Sequence, residues 1–126
     1  MARHLLDSDI LIWILRGKQQ AVDFVLDLLK NEVPAISALA CYEVWAGART
    51  SEEKVISDFL SSFEVFPVNQ EIARQGAQYY RSFRSKGVTL SMADALIAGT
   101  ARAHGLILVT QNSRDFPMTD IEIRSL

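Results

Sequence analysis

Short apolar segments alternate along the chain with longer segments in which apolar residues recur at helical spacing. The short segments predict strands, because they are apolar, partly β-branched and bounded by polar residues. The longer segments predict helices, with Ser37, Asn69 and Ser91 as N-caps. The predicted strands cover 3–6, 33–36, 64–68, 106–110 and, weakly, 121–123. The predicted helices cover 9–15, 20–30, 38–49, 50–62, 70–86 and 91–103.

The same spacing assigns an inward face to three of these helices. The residues expected to face inward are Val22, Val25, Leu26 and Leu29 in the second helix, Val55, Ile56, Phe59 and Leu60 in the fourth, and Ile72, Gly76, Tyr79, Tyr80 and Phe83 in the fifth. Strands that alternate with helices predict a parallel sheet covered on both faces. We therefore expect one α/β domain over 1–126, with a three-layer α/β/α architecture and a short parallel central sheet.

Polar residues follow two of the predicted strands. Asp7 and Asp9 come after the first strand, and the segment from Thr110 to Asp115 comes after the fourth. Right-handed crossovers collect the carboxyl ends of parallel strands at one edge of the sheet, where ligands and metals bind in open α/β folds. Carboxylates at the end of a buried strand cost free energy unless a positive charge lies near them. We expect the functional site at this edge.

Four acids are candidate catalytic residues, and each also has an ordinary structural explanation. Asp7 could cap the first helix, and Asp115 could be a turn residue. Asp94 lies three residues after Ser91, as in a capping box whose acid only satisfies a backbone N–H. Glu43 lies on a helix face that is otherwise small or apolar, so it is either a solvated glutamate or a carboxylate that needs a partner.

Taken together, the acids favour a metal site. Carboxylates that converge raise one another's pKa values, and a divalent cation relieves that repulsion. Oxygen ligands in a chain with only 2 histidines suit Mg²⁺ or Mn²⁺ better than zinc. Such a site suits phosphodiester hydrolysis, because the metal activates water and stabilises charge on the phosphate oxygens.

Composition and charge narrow the class of protein. The single cysteine, Cys41, excludes an internal disulfide framework and is expected to be a small buried hydrophobe. The net charge of −2 argues against binding nucleic acid by bulk electrostatics but leaves local basic groups open. No apolar run is long enough for a membrane span, and Asp7 and Asp9 interrupt the apolar start of the chain, so we expect a soluble cytoplasmic protein. The mean hydropathy of +0.12 favours a buried oligomer or partner interface.

Four segments of this chain stand in the order and spacing of a known family. They are Leu5 to Ile12, Ser37 with Glu43 six positions later, Ala93 to Ala98, and Leu108 to Asn112 followed by Asp115-Phe116. These segments resemble the PIN-domain ribonucleases, and most closely the VapC-type toxins of bacterial and archaeal toxin–antitoxin pairs. The resemblance covers essentially the whole chain. It implies a PIN-like fold and a Mg²⁺- or Mn²⁺-dependent endoribonuclease that acts by water attack on RNA.

The resemblance also implies roles for individual residues. The fourth acid of the family often stands where this chain has Asn112, so either Asp115 serves or Asn112 holds metal-bound water. Asp9 takes a secondary position that orients water or a second metal, and Thr110 supports the site through its hydroxyl. The implied metal ligands are Asp7, Glu43 and Asp94.

Substrate and partner surfaces are expected as well. Arg81, Arg84 and Arg114 are candidates for holding RNA phosphates, unless they are ordinary solvated residues. The resemblance implies a cognate VapB-type antitoxin and a homodimer, and hence exposed aromatic area, for which Trp13 and Trp45 are candidates. His4 and His104 are expected to be structural.

Two alternatives remain at this point. An Asp-x-Asp pair after a first strand also opens haloacid-dehalogenase-type phosphatases, but the lysine and the downstream acidic pair of that class are not evident here. A PIN-like scaffold that binds RNA or an antitoxin without cleavage is the other alternative. The intact set of Asp7, Glu43 and Asp94 argues against it.

Overall fold

The computed structural model describes residues 2–126, and these form strands and helices in the expected alternation. The strands are His4–Leu6 (β1), Ala35–Ser37 (β2), Glu64–Phe66 (β3), Ile107–Thr110 (β4) and Ile123–Ser125 (β5). The α-helices are Ser8–Leu15 (α1), Gln19–Leu28 (α2), Ala38–Ala46 (α3), Glu53–Leu60 (α4), Gln70–Arg84 (α5) and Met92–His104 (α6). Short 3₁₀ turns occupy Thr50–Glu52 and Ser113–Asp115.

The five strands form one parallel sheet in the order β3-β2-β1-β4-β5. The central strand β1 places Leu5 opposite Ala35 of β2 and opposite Leu108 of β4. Leu5 and Leu6 are fully buried, as expected for a strand with neighbours on both sides and helices on both faces. The residue that follows β1, Asp7, therefore lies in the middle of the carboxyl edge of the sheet.

Successive strand residues pack into two separate cores. Leu6 and Val109 face a layer built from α1, α2, α3 and α4. Leu5 and Leu108 face a layer built from α5 and α6. The predicted three-layer α/β/α architecture is confirmed, and Cys41 is buried in the first of the two cores. None of the helices in residues 2–126 is long and apolar enough to cross a membrane.

Helices α5 and α6 approach each other closely at two glycines. A Cβ atom on Gly99 would lie 2.8 Å from the backbone nitrogen of Gly76 and 3.1 Å from the carbonyl oxygen of Ile72. Backbone atoms cannot move aside as a flexible side chain can, so this crossing requires glycine. The close approach fixes α6, which carries Asp94 in its first turn, against α5.

Three element boundaries differ from the prediction for identifiable reasons. Strand β3 ends at Phe66 because Pro67 has no N–H to donate to a neighbouring strand. The last strand begins at Ile123, which pairs with Leu108, whereas the apolar pattern placed it at 121–123. Helix α3 ends at Ala46 before Gly47, and a 3₁₀ turn separates it from α4.

The predicted inward face of the second helix is confirmed at Val25 but wrong at two other positions. Leu26 is 55% exposed and Leu29 is 44% exposed. This helix has apolar residues on more than one face, so spacing alone does not choose the buried one. Val55, predicted inward in α4, is also exposed, whereas the predicted face of α5 is confirmed at Ile72, Gly76 and Tyr79. The residues of α2 that are buried are Ala21, Val25 and Leu28.

Both histidines make packing contacts. The Nδ1 atom of His4 lies 2.7 Å from a carboxylate oxygen of Glu32, and the other oxygen of Glu32 accepts hydrogen bonds from the backbone N–H groups of Arg3 and His4. The ring of His104 stacks on Phe66, with 4.0 Å between ring centroids. These contacts agree with the expected structural roles.

Candidate metal centre

Asp7 is the buried carboxylate at the middle of the carboxyl edge. It is the N-cap of α1, and its Oδ1 atom accepts a hydrogen bond of 2.8 Å from the Ser8 N–H. Its Oδ2 atom accepts one of 3.0 Å from the Thr110 hydroxyl. Burial raises the pKa of Asp7 from 3.8 to about 7, and the charge of Asp9 adds to the increase. Asp7 is therefore the helix cap, and a role in binding a cation is compatible with this position.

Asp9 lies in the first turn of α1 and is hydrogen-bonded to residues at the end of β4. Its Oδ2 atom accepts hydrogen bonds from the Thr110 hydroxyl, the Gln111 N–H and the Asn112 side-chain amide, at 3.1, 3.2 and 3.0 Å. Burial raises its pKa as well. Because the Thr110 hydroxyl has one proton and contacts both Asp7 and Asp9, it can donate to only one of these carboxylates at a time.

Glu43 reaches the centre from α3. It is half-buried, and burial is the main cause of its raised pKa, with further contributions from the charges of Asp94 and Asp9. A hydrogen bond from the Ser8 hydroxyl acts in the opposite direction. Glu43 is therefore only partly solvated, and it lies on the side of α3 that faces the other acids.

Asp94 reaches the centre from α6. Ser91 caps this helix, because its hydroxyl oxygen accepts a hydrogen bond of 3.0 Å from the Asp94 N–H. Burial is again the main cause of the raised pKa of Asp94, and the charges of Asp115 and Asp9 increase it further. The N-terminus of α6 provides a partial positive charge beside this carboxylate. Ser91 is therefore the N-cap that the sequence pattern predicted, and Asp94 lies in the first turn of the helix.

The loop after β4 forms the fourth side of the centre. Asn112 is exposed, and its backbone N–H donates to the Thr110 hydroxyl oxygen at 3.1 Å. Asp115 is exposed in the 3₁₀ turn, with Arg114 beside it.

The other two candidate RNA-binding arginines, Arg81 and Arg84, lie in the last turn of α5. The Arg84 guanidinium lies over the Tyr80 ring, 5.1 Å from its centroid.

The donor set fits a hard divalent cation. Within residues 2–126, no three His, Cys, Asp or Glu side chains stand in an arrangement that already encloses an ion. However, the Oδ1 atom of Asp9 is buried with no hydrogen-bond partner in that part of the chain. Four partly buried carboxylates with raised pKa values and an unpartnered oxygen would be stabilised by a cation with oxygen ligands.

Two contributors to this centre were missing from the prediction. Ser8 contacts the carboxylates of both Asp7 and Glu43, and its place between two acids was the signal that could have indicated it. The Gln111 contribution comes from its backbone N–H, which no side-chain pattern encodes.

An open apolar groove of about 730 Å³ lies beside α3, α4 and the edge strand β3. It includes Tyr42, Trp45 and Val65, whose side chains are partly exposed, at 67%, 43% and 44%. Exposed apolar side chains grouped in one concave surface are typical of a site for another molecule. The expectation of exposed aromatic area is confirmed for Trp45.

Comparisons with known proteins agree with this arrangement. Ribonuclease VapC10 of Mycobacterium tuberculosis is 38% identical over 114 residues, which cover 90% of this chain and 86% of the relative. The tRNA(fMet)-specific endonuclease VapC of Shigella flexneri is 30% identical over 121 residues, covering 92% and 91%. Among solved structures, DNA-bound VapBC from Salmonella typhimurium matches with a TM-score of 0.85 and 26% identity, covering 99% of this chain and 98% of that one.

A toxin–antitoxin complex from Klebsiella pneumoniae matches with a TM-score of 0.77 and 30% identity, covering 95% of this chain and 99% of that one. The PIN domain family model matches residues 4–122. This match includes β1, the helices that carry Glu43 and Asp94, and the loop after β4, and it sets the dehalogenase-type alternative aside. The chain belongs to the PIN domain family and, within it, to the VapC-type proteins.

Proposed function

We propose that this protein is a metal-dependent endoribonuclease that hydrolyses RNA phosphodiester bonds and is the toxin of a toxin–antitoxin pair. The observation that supports this proposal best is the group of carboxylates gathered from β1, α3 and α6, all with raised pKa values. Such a group costs folding free energy and is explained by a bound cation. The family relatives named ribonuclease and endonuclease agree with it.

In this proposal Asp7, Glu43 and Asp94 hold Mg²⁺ or Mn²⁺, and Asp115 belongs to the catalytic set with them. A bound divalent ion would lower the pKa of water and stabilise negative charge on the phosphate. Thr110 fixes the Asp7 carboxylate through its 3.0 Å hydrogen bond.

The cationic residues are proposed to hold RNA. Arg114, beside the centre, would bind a phosphate adjacent to the cleaved bond, because a guanidinium matches phosphate geometry. Arg81 and Arg84 would hold phosphates further along the strand. The protein would act in the cytoplasm, as a single domain over 1–126.

The partners proposed are a cognate VapB-type antitoxin and a second copy of the chain. Solved neighbours named VapBC and toxin–antitoxin complex support the antitoxin. The apolar groove beside Tyr42 and Trp45 offers a surface for an apolar antitoxin segment. For the homodimer, a second apolar surface on α5 and α6 includes Tyr80 and Met92, of which Met92 is 73% exposed.

Induced expression tests the function in cells. We expect wild-type protein to arrest growth and to generate new RNA 5′ ends, which sequencing after a short induction would locate. Asp94→Asn should abolish both effects while the circular dichroism spectrum stays that of folded protein. Asp27→Asn is the matched control, because this aspartate is exposed and forms only a surface ion pair with Lys30. Growth arrest and new 5′ ends with Asp94→Asn would refute the proposal.

A further inference from the structure

Two carboxylates beside the three proposed metal ligands could complete the centre: those of Asp9 and Asp115. Asp115 is exposed at the end of a 3₁₀ turn, whereas Asp9 is half-buried in the first turn of α1. We infer that Asp9 supplies the fourth carboxylate of the metal centre and that Asn112 positions it. This inference rests on the proposed metal-dependent function and assigns to Asp9 the place that sequence reasoning gave to Asp115 or Asn112.

The orientation of Asp9 is set mainly by the end of β4. All three donors to its Oδ2 atom come from the end of β4: the Thr110 hydroxyl, the Gln111 N–H and the Asn112 amide. A carboxylate group is rigid and planar, so the two N–H donors, joined by the Thr110 hydroxyl when its proton points to Asp9, also set the direction of the other oxygen. The side chain is therefore held in place before any ion binds, which is the arrangement that a metal ligand requires.

The second oxygen of Asp9 is free to bind. Its Oδ1 atom is buried and has no hydrogen-bond partner among residues 2–126. A buried carboxylate oxygen without a partner is costly unless water or a cation satisfies it. A hard divalent cation is the ligand that this oxygen fits best, because the neighbouring groups are carboxylates that a cation stabilises as well.

Asp9 lies beside Asp7 because both carboxylates contact the same hydroxyl. The Thr110 hydroxyl oxygen is 3.0 Å from Asp7 Oδ2 and 3.1 Å from Asp9 Oδ2. An ion held by Asp7 would therefore lie near Asp9.

The amide at position 112 matches an acid at position 9. The Asn112 Nδ2 group donates to Asp9 at 3.0 Å, which a carboxylate at the same position could not do. A second acid there would instead repel Asp9. Asn112 therefore acts as a positioning residue, and its own carbonyl oxygen is not needed as a metal ligand.

Mn²⁺ titration by calorimetry, in the absence of RNA, tests the assignment. Compared with wild type, Asp9→Asn should weaken Mn²⁺ binding by about tenfold or more, as the loss of a metal-site carboxylate does. Asp115→Asn should weaken it by less, and the exposed control Asp27→Asn should leave it unchanged. Equal Mn²⁺ affinities of Asp9→Asn and wild type, or a larger loss for Asp115→Asn, would overturn the inference.

A second variant and a stability measurement distinguish failure of this inference from failure of the proposed metal-dependent function on which it rests. Asn112→Ala removes the amide donor at an exposed position, so we expect weaker Mn²⁺ binding with an unchanged melting temperature in EDTA. Unchanged Mn²⁺ affinity in this variant would refute the positioning role. If wild-type protein itself binds no Mn²⁺, the metal-dependent function fails, whereas wild-type binding with no loss in Asp9→Asn refutes only the assignment of Asp9.

Discussion

Neutralising Asp7 should stabilise the metal-free protein at high pH. Burial raises the pKa of this carboxyl from 3.8 to about 7, so the folded state holds a proton that the unfolded chain has lost. The contribution of Asp7 to the free energy of unfolding is therefore most favourable below pH 3.8. It is lost as the pH rises from there through about 7. The full loss corresponds to about 4 kcal/mol above that pH, at roughly 1.4 kcal/mol for each pKa unit.

Asp7→Asn resembles the protonated carboxyl, since its amide can still accept from the Ser8 N–H and donate towards Thr110. Allowing about 1 kcal/mol for imperfect hydrogen bonds, we expect the variant to be more stable than wild type by about 2–3 kcal/mol near pH 8 in EDTA. Near pH 4, where Asp7 of the folded wild type is protonated, this advantage should be lost and the variant should be no more stable than wild type.

Urea denaturation of both proteins in EDTA, across this pH range, measures the difference directly, with Asp27→Asn as the control for a lost surface charge. Saturating Mn²⁺ should reverse the order, because a ligand that binds the folded state stabilises only the protein that retains the site. A wild type more stable than Asp7→Asn at every pH in EDTA, or a difference that does not depend on pH, would refute this reasoning.

Three further variants test separate parts of the account. Gly99→Ala places a Cβ atom 2.8 Å from the backbone nitrogen of Gly76, and urea denaturation should show a free energy of unfolding lower by about 2 kcal/mol. The control Gly47→Ala, whose Cβ would have its nearest contact at 3.8 Å, should have little effect. Equal stability of the two variants would contradict the close helix packing. Thr110→Val removes the hydroxyl that contacts both Asp7 and Asp9, so RNA cleavage should be slower by about tenfold. Thr110→Ser keeps the hydroxyl and should cleave RNA at nearly the wild-type rate. Cleavage at the wild-type rate by Thr110→Val would show that the hydroxyl does not support the metal centre. Trp45→Ser removes an aromatic side chain from the apolar groove, so calorimetry should show antitoxin binding weaker by about 2 kcal/mol with unchanged RNA cleavage. Undiminished binding would show that the antitoxin occupies another surface.

The sequence predicted the parts of this fold that depend on local pattern. Short apolar strands, N-caps at Ser37, Asn69 and Ser91, and the alternation of strands with helices are all encoded over a few residues. The inward face of α2 was predicted correctly only at Val25, because this helix has apolar residues on more than one face and only packing decides which are buried. The last strand was displaced by two residues, because its position depends on pairing with β4 rather than on its own hydrophobicity.

The residues of the candidate site could be named from the sequence, but their contacts could not. Asp7, Glu43 and Asp94 were named through the family resemblance, and the structure brings Asp94 within electrostatic range of both Asp7 and Glu43. The anchoring of Asp9 could not be named, because it depends on a hydroxyl and an amide about a hundred residues away and on the backbone of Gln111. Contacts of that kind follow from the order of β1 and β4 in the sheet, which no local pattern specifies.

Cleavage of RNA by purified protein tests the central claim most directly. We predict that wild-type protein with Mn²⁺ converts a mixed RNA substrate to defined fragments, and that EDTA stops the reaction. Asp94→Asn, folded by circular dichroism and free of contaminating nuclease, should be slower by about 100-fold or more, because it removes a carboxylate proposed to hold the metal ion. Cleavage at the wild-type rate by Asp94→Asn, or undiminished wild-type cleavage in EDTA, would contradict the account.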